Sequence, residues 1–101
     1  MRTAAMRAAR SDWILTLDPD ETLEGDPRPL MRKRRIWKLP RRHWMDLDRT
    51  IPAPDDRHYP DPQRRLFPND PRIRYVRPVH ELVVGMRTRH TRAPVIHHFK
   101  L

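Results

Sequence analysis

Four clusters of side chains in this sequence carry groups able to do chemistry. Asp18-Pro19-Asp20-Glu21 gathers three carboxylates in four residues, and the i, i+2 spacing of Asp18 and Asp20 about a proline lets both turn toward one cation. Hard carboxylate oxygens favour magnesium or manganese, ions that keep coordination positions open for phosphate oxygens. The same tetrapeptide also suits a polar turn in which Asp20 caps the following segment. Asp61 lies two residues before Gln63-Arg64-Arg65, where either arginine would hold phosphate or carboxylate oxygens in its planar fork or line a solvated strand edge. His80-Glu81 sets an imidazole beside a carboxylate, and His97-His98 closes an apolar stretch near the C-terminus. Neighbours on a strand face opposite ways, so at most one of His97 and His98 is expected to reach a given cation. A histidine satisfied by a backbone carbonyl is the plainer alternative for each ring.

The elements that must position these groups are limited by composition. With 101 residues the chain is at most one domain, and Leu, Ile, Val and Phe together number 21, so a thin core is expected. Twelve prolines against two glycines exclude long helices and favour short elements with much loop. Cysteine is absent, which removes disulfides, thiolate zinc sites and thiol nucleophiles together. No apolar run approaches the length that spans a bilayer, and Met1 to Arg7 lacks the apolar middle of a signal peptide, so the chain reads as soluble and cytoplasmic.

Charge is unevenly distributed. Residues 1–26 carry three arginines against six acids, whereas residues 27–101 carry nineteen Lys and Arg against seven acids, for a net charge of +9. An acidic knot ahead of a basic body suits a site that holds a cation beside a phosphate better than it suits an evenly basic nucleic-acid-binding face.

Along the chain, Thr3 to Arg10 is rich in strong helix formers and predicts a short helix. Trp13 to Leu17 is a nearly continuous apolar run of five, of the kind a buried parallel strand shows. Residues 22–31 predict a short helical or turn segment, and Met31 to Leu39 predicts an exposed strand in a basic field. Pro40 to Pro62 reads mostly as loop, and short apolar pieces at Leu66-Phe67, Ile73 to Val76, Val79 to Val84 and Val95-Ile96 follow. Trp37 and Trp44 offer aromatic faces for stacking, although core anchoring is the commoner role.

The segment Ala8-Ala9-Arg10-Ser11-Asp12-Trp13-Ile14-Leu15-Thr16-Leu17-Asp18-Pro19-Asp20-Glu21 resembles the part of family 2 glycosyltransferases in which an apolar strand leads into a metal-binding Asp-x-Asp and a following Glu. Tyr59-Pro60-Asp61-Pro62-Gln63-Arg64-Arg65-Leu66-Phe67 is similar to that family's Asp-x-Gln-x-Arg-Leu-Phe stretch, and Val79-His80-Glu81 and Ile96-His97-His98 follow in the family's order. The resemblance runs from about residue 8 to residue 98. It implies an α/β chain forming a partial GT-A (nucleotide-diphospho-sugar transferase-like) domain with short strands, few helices and long loops. Three parts are expected: residues 8–26 with the Asp-x-Asp, the basic proline-rich loop region 27–62, and short strands over 63–101. Nothing before Ala8 resembles the family's nucleoside-binding βα units, so the expected piece is the metal-site and acceptor part. The edge of the Trp13 to Leu17 strand is then expected to lie unpaired.

The resemblance implies Mn2+ or Mg2+ as cofactor, held by Asp18, Asp20 and His98, and a nucleotide-sugar donor whose diphosphate meets Gln63, Arg64 and Arg65. Inversion needs a carboxylate to deprotonate the acceptor hydroxyl; Glu81 is the first candidate and Asp61 the second. The acceptor is a glycan, a lipid carrier or another hydroxyl compound. The basic run Met31 to Arg42 suggests peripheral contact with an anionic lipid surface at the inner face of the membrane. Nucleic acid is not a partner in this reading; the alternative reading is a small basic RNA- or DNA-binding protein, and a third is a non-catalytic piece that docks onto another chain.

Overall fold

Short elements dominate, as the proline content requires. The computed structural model describes residues 5–7, 12–76 and 82–101. The described residues form strands β1 (Ala5–Arg7), β2 (Trp13–Thr16), β3 (Glu21–Glu24), β4 (Ile36–Leu39), β5 (Arg41–Trp44), β6 (Gln63–Pro68), β7 (Arg74–Val76), β8 (Leu82–Val84), β9 (Thr88–His90) and β10 (Val95–Phe99). Two single-turn 3-10 helices, Arg28–Arg32 and Pro54–His58, each carry proline in the first turn, where its missing N–H has no helical partner to lose. No α-helix occurs among the described residues, so the chain is a mostly-strand domain with mixed sheets rather than an evenly alternating α/β one.

A five-stranded sheet runs β1-β2-β6-β4-β9, a three-stranded sheet β3-β10-β5, and β7 pairs with β8 as a two-stranded ribbon. The pairs β4–β9 and β5–β10 are parallel, and the remaining pairs are antiparallel. The five-stranded sheet is covered on both faces. Trp13, Leu39 and Leu66 pack with Ile96 of the three-stranded sheet, while Ile36 and Phe67 pack on the other side with Val83 of β8. Pro40, fully buried, carries the chain directly from β4 in the first sheet to β5 in the second.

Several expectations change here. The apolar run at β2 is a buried strand, but it is antiparallel to both neighbours, because such a run reports burial of both faces and not strand direction. Its edge is not open: β1 pairs with it through Ala5↔Thr16, Met6↔Leu15 and Arg7↔Ile14. That pairing replaces the helix predicted over Thr3 to Arg10, whose remaining residues lie outside the described ones; for a short segment, sheet pairing overrides helix propensity. Of residues 22–31, expected as a helical or turn segment, the first part lies in strand Glu21–Glu24, while the later part lies in the 3-10 helix Arg28–Arg32. Ile36–Leu39 is not exposed, since Ile36 and Leu39 have no accessible surface and lie under different layers. The stretch read as loop from Pro40 contains β5. No helix among the described residues is long and apolar enough to cross a membrane.

Candidate functional site

The carboxyl end of β2 leads through Asp18 and Asp20 into β3, which begins at Glu21. β3 and β5 flank β10, with Glu21 opposite His98 and His43 opposite His98 in the two registers. Because side chains alternate along a strand, Glu21, His43 and His98 share one face with Arg41, and β6 delivers Arg65 from the neighbouring sheet.

Glu21 is the hub. Its side chain has no accessible surface, and it accepts hydrogen bonds from the Asp18 amide (2.9 Å), from Nη2 of Arg65 (3.0 Å) and from Nη1 of Arg41 (3.1 Å). Burial opposes its ionisation, but the hydrogen bond and charge of Arg65, the Asp18 amide and Arg41 together outweigh burial and hold the carboxyl below the usual range. Arg65 also donates to the Thr16 carbonyl and lies 3.6 Å from the Asp18 carboxylate. Arg41 continues to Asp61, its Nε 3.0 Å from Oδ2.

From Asp61 a row of hydrogen bonds runs to the surface. Asp61 Oδ2 is 2.7 Å from His43 Nε2, His43 Nδ1 is 2.9 Å from His98 Nδ1, and His98 Nε2 is 2.8 Å from Asp20 Oδ2. Burial raises the proton affinity of Asp61, but the His43 hydrogen bond and the Arg41 charge overcome it and keep the carboxyl low. An ionised Asp61 requires the His43 Nε2–H, so His43 Nδ1 accepts from the His98 Nδ1–H. The lone pair of His98 Nε2 then faces a carboxylate oxygen. Two neutral rings supply two protons for three contacts, and the outermost contact therefore needs a further proton or a cation. Asp61 itself has a φ of +39°, a left-handed conformation that aspartate tolerates, and Gln63 Nε2 braces its Oδ1 at 3.1 Å.

The expected metal would have to sit at this outer contact, whose 2.8 Å separation is also an ordinary hydrogen-bond distance. Two ligands at right angles about an octahedral magnesium ion lie about 2.9 Å apart, close to the observed separation of Asp20 Oδ2 and His98 Nε2. Among the described residues no group of three His, Asp or Glu side chains converges on one point. The protein would thus contribute Asp20 and His98, with Asp18 turned toward Arg65 and the remaining positions left to water or phosphate oxygens.

The other predicted residues divide. Arg65 joins the cluster, whereas Arg64, its neighbour on β6, points away and donates to the Val83 carbonyl at 2.9 Å. Gln63 is spent on Asp61 and is not directed at a ligand. The two adjacent histidines separate: His97 faces the opposite side, where Trp44 Nε1–H donates to its Nδ1 at 2.9 Å and Glu24 lies 2.7 Å from its Nε2. Trp44 is thereby committed to His97 rather than to a sugar. His80 and Glu81 lie outside the described residues. Arg41 and His43 are the members that residue type and spacing did not reveal; the alternation Arg41-Arg42-His43-Trp44, followed two residues later by Asp46, was the available signal for a polar-faced strand. Asp56 of the second 3-10 helix fixes that strand by accepting from the His43 amide and from Arg42, each at 2.9 Å.

Comparison with known proteins returns no match to a family model, a curated protein or a solved structure.

Proposed function

We propose that this chain is the metal-site and acceptor-side part of a nucleotide-sugar-dependent glycosyltransferase of the GT-A type. One observation carries the reading: Asp20, Glu21, Asp61, Arg65 and His98, drawn from three segments far apart in sequence, meet in one connected cluster at the end of β2. Those segments are the same ones whose motifs resemble the family.

The reaction joins the acceptor hydroxyl oxygen to the anomeric carbon, breaks the bond from that carbon to the diphosphate oxygen, and delivers the hydroxyl proton to a base. A bound Mn2+ or Mg2+ would be held by Asp20 and His98 and would neutralise charge that develops on the leaving diphosphate. Arg65, half occupied by Glu21, presents its guanidinium beside Asp18 and adds positive charge at the same edge. Glu21 and Arg41 hold Arg65 and Asp61 in place. Asp61, with its oxygens taken by Arg41, His43 and Gln63, is a positioning residue and a weak base. The base role falls to Glu81 of the Val79-His80-Glu81 motif.

Calorimetric titration of the chain with Mn2+, with and without UDP, tests the reading. Weak Mn2+ binding that tightens about tenfold with UDP, and that disappears in Asp20→Ala and His98→Ala, is the expected result. Identical heats for the wild type and Asp20→Ala, or tight RNA binding at low salt that ignores a chelator, would overturn it.

A further inference from the structure

A second charged site lies away from the acid–histidine cluster, along the parallel pair β4–β9. There a cleft of about 550 Å3 is lined by Lys33, Arg35, Trp37, Thr88, Arg89 and His90. β9 is the outer strand of the five-stranded sheet and sets Arg89 beside Trp37 and Thr88 beside Ile36. Among the described residues no acid lines the cleft. Lys33, Arg35 and Arg89 form no ion pair with any described residue, whereas Arg34, next to them in sequence, is bound to Asp70. Three cations held together without a counter-charge repel one another, and such a grouping is stabilised by an anion.

Arg35 Nε and Trp37 Nε1 are both buried and have no partner among the described residues. Both groups are donors only, so the partner they lack is an acceptor. Neither nitrogen has accessible surface, so both lie beneath the wall of the cleft and do not face its open space. Arg35 is already placed, its guanidinium carbon 5.4 Å from the centre of the Trp37 ring. A phosphate group answers the charge, because it brings negative charge and several acceptor oxygens to one point, and the arginine fork matches its geometry. The cleft is larger than one phosphate, which leaves room for the group that carries it.

We infer that the β4–β9 cleft is a phosphate-binding site, with Arg35, Arg89 and Lys33 supplying charge. The phosphate belongs either to a free phosphorylated compound or to a lipid headgroup. Its residues are distinct from those of the proposed metal site.

Calorimetry of the whole chain with inorganic pyrophosphate, in the presence of a chelator so that no cation bridges to Asp20, reads the free ligand. Sedimentation with phosphatidylcholine vesicles with and without phosphatidic acid reads the lipid. Arg35→Gln and Arg89→Gln are each expected to weaken binding about tenfold. Arg92→Gln removes the same charge from an exposed residue outside the cleft and is expected to change binding less than about twofold. Arg89 is exposed, so its variant serves if Arg35→Gln does not fold. Pyrophosphate binding with this pattern supports a free phosphate ligand, and binding to phosphatidic acid vesicles alone with the same pattern supports a lipid phosphate. Binding to neither, or a loss in Arg92→Gln equal to that in Arg35→Gln, overturns the proposal.

Discussion

Glu21 is a carboxylate with no accessible side-chain surface, and its neighbours show why it is ionised there. Removing one partner from a buried ion pair strands the others, at a cost of about 3–5 kcal/mol, and Glu21→Gln leaves both Arg65 and Arg41 without their shared acceptor charge. A loss of about 3 kcal/mol on urea unfolding at pH 7 is expected. The pH dependence has a definite sign. The folded carboxyl titrates below its ordinary value of 4.5, so the unfolded chain takes up the proton first as pH falls. The stabilisation is complete above pH 4.5 and is lost as pH falls from there toward the folded value, and Glu21→Gln should flatten the stability profile across that window. An unchanged profile would remove the hub role. Part of this cluster was readable from residue type and spacing: the Asp18-Pro19-Asp20-Glu21 knot and the limit of one histidine from His97-His98, whereas Arg64 and Arg65 were both expected at one site and strand alternation sends them to different partners. Arg41 and His43 were not readable, because their partners Glu21, Asp61 and His98 stand 18 to 55 residues away and only sheet pairing brings them together.

Among elements, the strands were easier to read than their neighbours. The run at Trp13–Thr16 declared burial on both faces, yet a direction for the adjacent strands is nowhere in a single run. Ile36–Leu39 misled because its flanking Lys and Arg suggested exposure, while the strand itself is sandwiched between the three-stranded sheet and the β7–β8 ribbon. β9, Thr88–His90, has no apolar residue to mark it and is defined only by its pairing with β4. The turn between β8 and β9 is the tightest point in this layer. Gly85 has φ +117°, and a Cβ there would stand 1.9 Å from the Arg72 carbonyl oxygen. Gly25 has a similar φ of +115°, but its Cβ would meet Pro94 at 3.1 Å, a much milder approach than the one at Gly85. Gly85→Ala is therefore expected to cost about 2 kcal/mol or more and Gly25→Ala about 1 kcal/mol, each read as a lower urea midpoint with unchanged slope. Equal effects would mean that backbone strain alone, without the clash, sets the cost.

For the whole molecule the opposing quantities are a thin core and a large charge. The radius of gyration is 13.6 Å, about what a compact chain of this length has, so 21 large aliphatic and Phe residues suffice to close the layers. They do so against a net charge of +9, which favours expansion through self-repulsion. Screening acts on both signs of this balance. Exposed pairs such as Arg28–Asp26 weaken in salt, but each contributes little, while Glu21 and its arginines are buried and are screened much less. Repulsion among the surface cations that lack an acidic partner, Lys33, Arg35 and Arg89 included, is the stronger of the interactions that salt weakens. Raising NaCl from about 20 mM, where the screening length is long, to about 500 mM should stabilise the fold by about 1 kcal/mol, or about 4–8 °C in melting temperature. Phosphate at the same ionic strength should raise it further, because it adds occupancy of the β4–β9 cleft to general screening. A melting temperature that falls with NaCl would show instead that the surface ion pairs outweigh the repulsion, and the basic body of this chain would then be stabilised by its own acids rather than by an anionic ligand.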